Sequence, residues 1–173
     1  MQGADRAIVT LPERFEAFYQ REFKSVVGLA YALSGSRWAA EDLAQEAFIA
    51  AHRKWDRIGD YDSPGAWVRR VVANMAVSLY RKRASEARAV ARVAMRRQEV
   101  LPALDPQDDE FWAEVRALPK RQAQALALHY LEDRPVAEVA DILDCSPSTA
   151  KVHLHKGRIR LAERLGIVNG DSS

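Results

Sequence analysis

The chain has 173 residues, 48% hydrophobic and 29% charged, with a formal net charge of +2. That length holds one medium domain or two small ones, and the apolar content excludes disorder throughout. A single cysteine, Cys145, excludes an intramolecular disulfide, and no apolar run approaches membrane-spanning length. The N-terminus lacks a charged-then-apolar signal pattern, so a cytoplasmic protein is expected.

Alanine, leucine, arginine and glutamate dominate, and no run of alternating β-branched residues supports a sheet. The expected fold class is all-α. Basic residues gather at 81–97 and 151–164 and acidic ones at 105–114, so local positive faces are compatible with a near-neutral total.

The first predicted helix covers 13–34, where Phe15, Phe18, Tyr19, Val26, Ala30 and Leu33 recur at three- and four-residue steps. Ser34-Gly35-Ser36 stops it. The second runs from about Trp38 to Trp55, with Leu43, Ala47, Ala51 and Trp55 facing inward. Gly59 to Asp62 is a predicted loop. Ser63-Pro64 then has the chemistry of an N-cap followed by proline at the first helical position. The third helix is expected to reach about Arg83, with Trp67, Val68, Val71, Val72, Met75 and Leu79 as its buried stripe.

Residues 84–106 are rich in alanine and arginine, poor in large apolar groups and closed by Pro102 and Pro106. They read as a linker. About 23 residues at about 3.3 Å each span up to about 75 Å, enough for two domains to touch separate sites on one duplex.

Residues 107–166 read as a second unit, of four helices. Phe111, Trp112, Val115 and Leu118 mark its first helix, and Ala123, Leu126, Ala127 and Tyr130 its second. Helices at about 136–143 and 147–165 follow, joined by Asp144-Cys145-Ser146: a helix-turn-helix pattern. Val136, Val139, Ala140 and Leu143 pack the first of the pair, Ser146 caps the second and Pro147 starts it. The exposed start of that second helix carries Ser148, Thr149, Lys151, Val152, His155 and Lys156. Such a helix enters the major groove with its N-terminal residues at base edges. Lys156, Arg158 and Arg160 add a salt-sensitive backbone contribution. By itself this pattern says only transcription regulator, or an amphipathic hairpin that packs against a partner.

In the first unit, Asp42, Gln45 and Glu46 stand at i, i+3 and i+4 and share one helix face. The same stretch, Ala40-Glu41-Asp42-Leu43-Ala44-Gln45-Glu46-Ala47-Phe48, is followed by Ala66-Trp67-Val68-Arg69-Arg70-Val71-Val72-Ala73-Asn74 and by Tyr80-Arg81-Lys82-Arg83. With Phe15-Glu16-Ala17-Phe18-Tyr19 before it and Leu118-Pro119 to Glu132 ahead of the helix-turn-helix, this order resembles the extracytoplasmic-function sigma factors of the sigma-70 family. The resemblance covers about residues 13–83 and 110–166.

The resemblance implies a factor that binds RNA polymerase core and directs promoter-specific initiation. It implies a region 2-like domain at 13–83, a linker at 84–106 and a region 4-like domain at 107–166. Asp42, Gln45 and Glu46 match the stripe that docks on the β′ clamp helices, and the β flap is the other implied polymerase contact. Ile58 and Asn74 match the site that captures a flipped −10 base, Ile58 being aliphatic where the family often has an aromatic. Unstacking that base costs a few kcal/mol, offset if the open strand binds better than the duplex. Arg69, Arg70, Arg81, Lys82 and Arg83 can hold the strand's phosphates. Lys151, Val152, His155 and Lys156 match the −35 contacts, with Val152 and His155 replacing more typical polar or basic residues and Gly157 interrupting the helix. Many members of this class are held by an anti-sigma factor, and no residue identifies one here.

No cofactor, metal, membrane or small-molecule substrate is expected. His153 and His155, two apart, point to different sides of a helix and make a poor zinc pair. Cys145 is expected as a small buried residue of the turn, and Trp38, Trp55, Trp67 and Trp112 as core or boundary aromatics. Glu41, Asp42 and Glu46 have no nucleophile or base beside them, so no enzyme activity is expected. The rival reading is a stand-alone repressor or activator whose first hundred residues dimerise or sense, and a third is a protein-interaction adaptor.

Overall fold

The computed structural model describes residues 13–93 and 106–167, and all their regular structure is helical. The all-α expectation is met. Helix α1 (Phe15–Ser34) buries Phe18, Val26, Leu29, Ala30 and Leu33. It ends where Gly35 turns left-handed at φ 72° and its N–H donates to Tyr31 O at 2.8 Å, a conformation that glycine adopts without a Cβ penalty. Helix α2 (Arg37–His52) starts on Ser36, whose hydroxyl accepts from the Ala39 amide at 3.3 Å. It ends short of Trp55, which instead opens a single turn, α3 (Trp55–Ile58).

The expected Ser63 cap is present, with the Ala66 amide donating to its hydroxyl at 3.3 Å, and Pro64 begins α4 (Pro64–Val93). This helix of 30 residues is about 45 Å long. It outruns the expected end near Arg83. Its inner face, Val68, Val72, Ala73, Ala76 and Val77, is buried, whereas almost every position from Arg81 to Arg92 is exposed. Good helix formers, already nucleated by the packed half, propagate the helix past its last tertiary contact. Of the proposed linker, residues 94–105 lie outside the described residues.

The second unit comprises α5 (Pro106–Arg116), α6 (Lys120–Leu126) with a π-helical continuation (Ala127–Leu131), α7 (Val136–Leu143) and α8 (Pro147–Arg164). Val115, Leu126, Leu128, Val139, Ile142, Leu143 and Leu154 are buried in it. Asp144, left-handed at φ 55°, closes α7, and Ser146 caps α8 by accepting from the Thr149 amide at 3.1 Å. Gly157 does not interrupt α8. It is buried, and a Cβ there would stand 3.1 Å from Leu126 Cδ1, so the glycine lets α8 approach α6 closely.

The two units are packed together, and the buried apolar cluster runs across both. On the far side of the first unit, Phe15, Phe18, Tyr19, Phe48 and Trp55 form an aromatic knot, with Phe18 and Trp55 rings 4.8 Å apart. Trp38 was expected in a core or boundary. It is 88% exposed on the first turn of α2.

Candidate nucleic-acid interface

The helix-turn-helix places its second helix, α8, at the surface. Ser148, Thr149, Lys151, Val152, His155 and Lys156 are all exposed, while Ala150, Leu154 and Gly157 between them are buried. The alternation follows from the 3.6-residue period: every inward position holds a small or apolar residue, so every outward one is free to meet a groove. Thr149 Oγ1 and Ser146 Oγ are 2.8 Å apart, which holds both hydroxyls at the helix start, where they suit a phosphate. Cys145 in the preceding turn is half-buried and free. His153 lies to the side. Burial, with Arg121 and Lys156 near it, lowers its pKa below the usual 6.5 and favours the neutral ring.

In the first unit, Asp42, Gln45 and Glu46 are exposed on α2, backed by the buried Ala40, Ala44, Ala47 and Phe48. Trp38 and Ile49, also exposed, continue that face one turn in each direction. Trp38 was expected in a core or boundary, and Ile49 had no expected role. Their spacing of four from Asp42 and from Gln45 was the available signal.

The residues matched to −10 recognition are not brought together as one open surface. Ile58 is 1% exposed in the core, which corrects its assignment to a base-capturing loop. Its side chain completes the packing of α3 on the bundle and offers no edge to a base. Arg69, expected to hold a phosphate, is 2% exposed. Its guanidinium lies between Glu22, at 2.7 Å, and Glu132 of the second unit, at 2.6 Å, and its Nη2 donates to Ser25 Oγ at 2.8 Å. Burial opposes charge on Glu22, but the Coulombic pull of Arg69 and hydrogen bonds from Arg69 and Arg21 outweigh it and hold the carboxyl below its usual range.

Arg70 and Asn74 lie on the same side of α4 and both meet the second unit. Arg70 donates from Nε to Ile142 O at 2.9 Å and from Nη2 to Asp141 O at 2.6 Å. Asn74 Oδ1 accepts from Gln124 Nε2 at 3.1 Å. Arg81, Lys82 and Arg83 are exposed about two turns beyond Asn74 along α4. Among the described residues no group of three or more His, Cys, Asp or Glu side chains is arranged to hold a metal, and no helix is long and apolar enough to cross a membrane.

The sigma-70 region 2 family model matches residues 18–86 and the sigma-70 region 4 model matches residues 108–161. The chain is 27% identical over 151 residues to the ECF RNA polymerase sigma factor SigW of Bacillus subtilis, covering 79% of this chain and 81% of that protein. It is 27% identical over 160 residues to the ECF sigma factor SigM of Mycobacterium tuberculosis, covering 90% and 79%. Among solved structures it resembles the sigma factor RpoE of Bartonella quintana in complex with the anti-sigma factor NepR, with a TM-score of 0.67 at 26% identity, covering 90% of this chain and 98% of that one. With both regions present in order, behind an exposed α2 stripe and an intact helix-turn-helix, the chain belongs to the extracytoplasmic-function group of the sigma-70 family.

Proposed function

We propose that this protein binds RNA polymerase core and directs it to promoters, reading a −35 duplex with α8 and opening the −10 element with α4. The observation that carries the reading is the pair of sigma-70 regions in one chain, each coinciding with a surface of suitable chemistry. It acts by binding and carries out no covalent chemistry.

The stripe Asp42, Gln45 and Glu46 docks on the β′ clamp helices. Trp38 and Ile49 extend it with apolar area, the composition of an interface anchor with polar groups beside it. The β flap is the polymerase element that meets the second unit. Lys151, Val152, His155 and Lys156 face the −35 major groove, with Ser148 and Thr149 at the backbone. Asn74 hydrogen-bonds the edge of an extruded −10 base, and Arg70, Arg81, Lys82 and Arg83 hold the strand. The two domains are those expected from the sequence, 13–83 and 107–166, with α4 running into the linker at 84–106 as far as Val93. An anti-sigma factor is a further partner, as for the Bartonella relative.

In vitro transcription from fragmented genomic DNA with purified core, with and without the protein, tests this. Specific start sites are expected only with the protein, and Asp42→Arg is expected to abolish them while helicity is unchanged. A protein that shifts duplex DNA alone and adds no start sites to core is instead a repressor.

A further inference from the structure

Val152 is 48% exposed at the middle of the groove-facing arc of α8. The helical period puts it on the opposite side of α8 from the buried line of Ala150, Leu154, Gly157 and Leu161. It is therefore the point of the helix that reaches furthest from the core. Ser148 and Thr149 flank it one turn earlier, His155 and Lys156 one turn later, and all four are exposed. Each of these neighbours can donate a hydrogen bond, whereas the valine side chain can neither donate nor accept one. An apolar side chain at the foremost point of a polar, basic face calls for an apolar group opposite it.

The major groove offers one. Thymine alone among the bases presents a methyl group there, while the edges of guanine, adenine and cytosine present donors and acceptors. A valine pressed on such an edge leaves those groups dry and unpaired, which disfavours them. The branched Cβ is confined to one main rotamer in a helix, so both methyl groups point in a fixed direction and little freedom is lost on contact. A protein partner fits this face poorly, because lysine is depleted from the cores of protein interfaces and the exposed Lys151 and Lys156 stand beside Val152.

We propose that Val152 is a specificity-determining residue that reads the C5-methyl group of a thymine, so that the promoters this protein selects carry a thymine beneath the middle of α8. The inference rests on the −35 reading of that helix. Ile159, 43% exposed, continues the same line two turns further on, about 10.5 Å along the axis and beyond the N-terminal turns that meet base edges. It supplies a control of matching chemistry.

The test uses the complete holoenzyme, core polymerase with this protein, on a promoter fragment recovered from the start-site mapping above. Each thymine of the −35 segment, on either strand, is replaced in turn by deoxyuridine, which removes the methyl group and leaves every donor and acceptor in place. One replacement is expected to weaken binding about fourfold in competition assays, the factor that one buried methyl group supplies. Val152→Ala is expected to bind the thymine and uracil forms equally at that position with its helical circular dichroism unchanged, and Ile159→Ala to keep the preference. If every uracil is tolerated while scrambling the −35 segment abolishes binding, the proposal is overturned and the −35 reading stands. A preference that survives in Val152→Ala assigns the methyl group to another side chain and overturns the proposal as well. If scrambling the segment changes nothing, the −35 reading itself falls, and the proposal with it.

Discussion

Gly157 shows how one residue's context reverses its propensity. In a free helix, glycine to alanine stabilises by about 1 kcal/mol. Here the added methyl meets Leu126, itself 2% exposed, at 3.1 Å and Gln122 Cβ at 3.4 Å. Gly157→Ala is expected to lower unfolding free energy by about 1 kcal/mol or more, measured by urea denaturation, because overpacking outweighs propensity. Glu22 supplies a pH signature. Its folded pKa is depressed, so its contribution to stability is complete above the ordinary value of 4.5 and is lost as pH falls through the lowered folded value. Glu22→Gln is expected to lose less stability than wild type between pH 7 and pH 3, compared by denaturation midpoints. Equal losses would assign the acid response to other carboxylates. Of the individual residues, the caps Ser63 and Ser146 were legible in sequence, because capping is settled within four residues of chain. The fates of Ile58, Arg69 and Trp38 were not, because burial depends on elements far away in sequence.

Among elements, α8 and α2 carry the functional surfaces, and their faces respond differently to mutation. Lys156 is exposed and suited to a phosphate. Lys156→Ala is expected to weaken duplex binding uniformly across sequences and to lower the salt slope by about 1, read from binding isotherms at several salt concentrations. Lys151→Ala, at a base-facing position, is expected to cost about 1–3 kcal/mol on a preferred −35 site and less on other sequences. A sequence-independent loss there would move Lys151 to the backbone. On α2, Trp38→Ala removes a side chain that is 88% exposed. It is expected to leave the melting temperature unchanged and to weaken core binding several-fold, by titration against core polymerase. The amphipathic period placed α8 and the exposed Asp42, Gln45 and Glu46 of α2, but it ran α2 on to Trp55, where the chain instead opens α3. It placed the end of α4 too early, because periodicity reports packing, whereas the alanine- and arginine-rich run needs no packing partner to extend a helix already begun.

For the whole molecule, the buried apolar cluster runs through both units, and the arginine caps (Arg70 on the end of α7, Arg116 on that of α1) and the Arg69–Glu132 ion pair cross between them. Arg69→Ala leaves the Glu132 carboxylate, 4% exposed, without its nearest cation. It is expected to cost about 3–5 kcal/mol of unfolding free energy, measured by urea denaturation, because a buried charge is left uncompensated. A cost below about 1 kcal/mol would show that the contact between the units carries little of the stability.

The order and faces of the helices, their caps and the helix-turn-helix were determined by the sequence alone, since each depends on neighbours within a few turns of chain. The two-region order was legible for the same reason. Only the tertiary structure decided that Ile58 is core, that Arg69 is sealed between two glutamates, and that Arg70 and Asn74 face the second unit. Those partners lie about 40 to 70 positions away. No local pattern encodes a contact between groups that only the folded chain brings within about 3 Å of each other, or tells whether their attraction outweighs the cost of removing them from water.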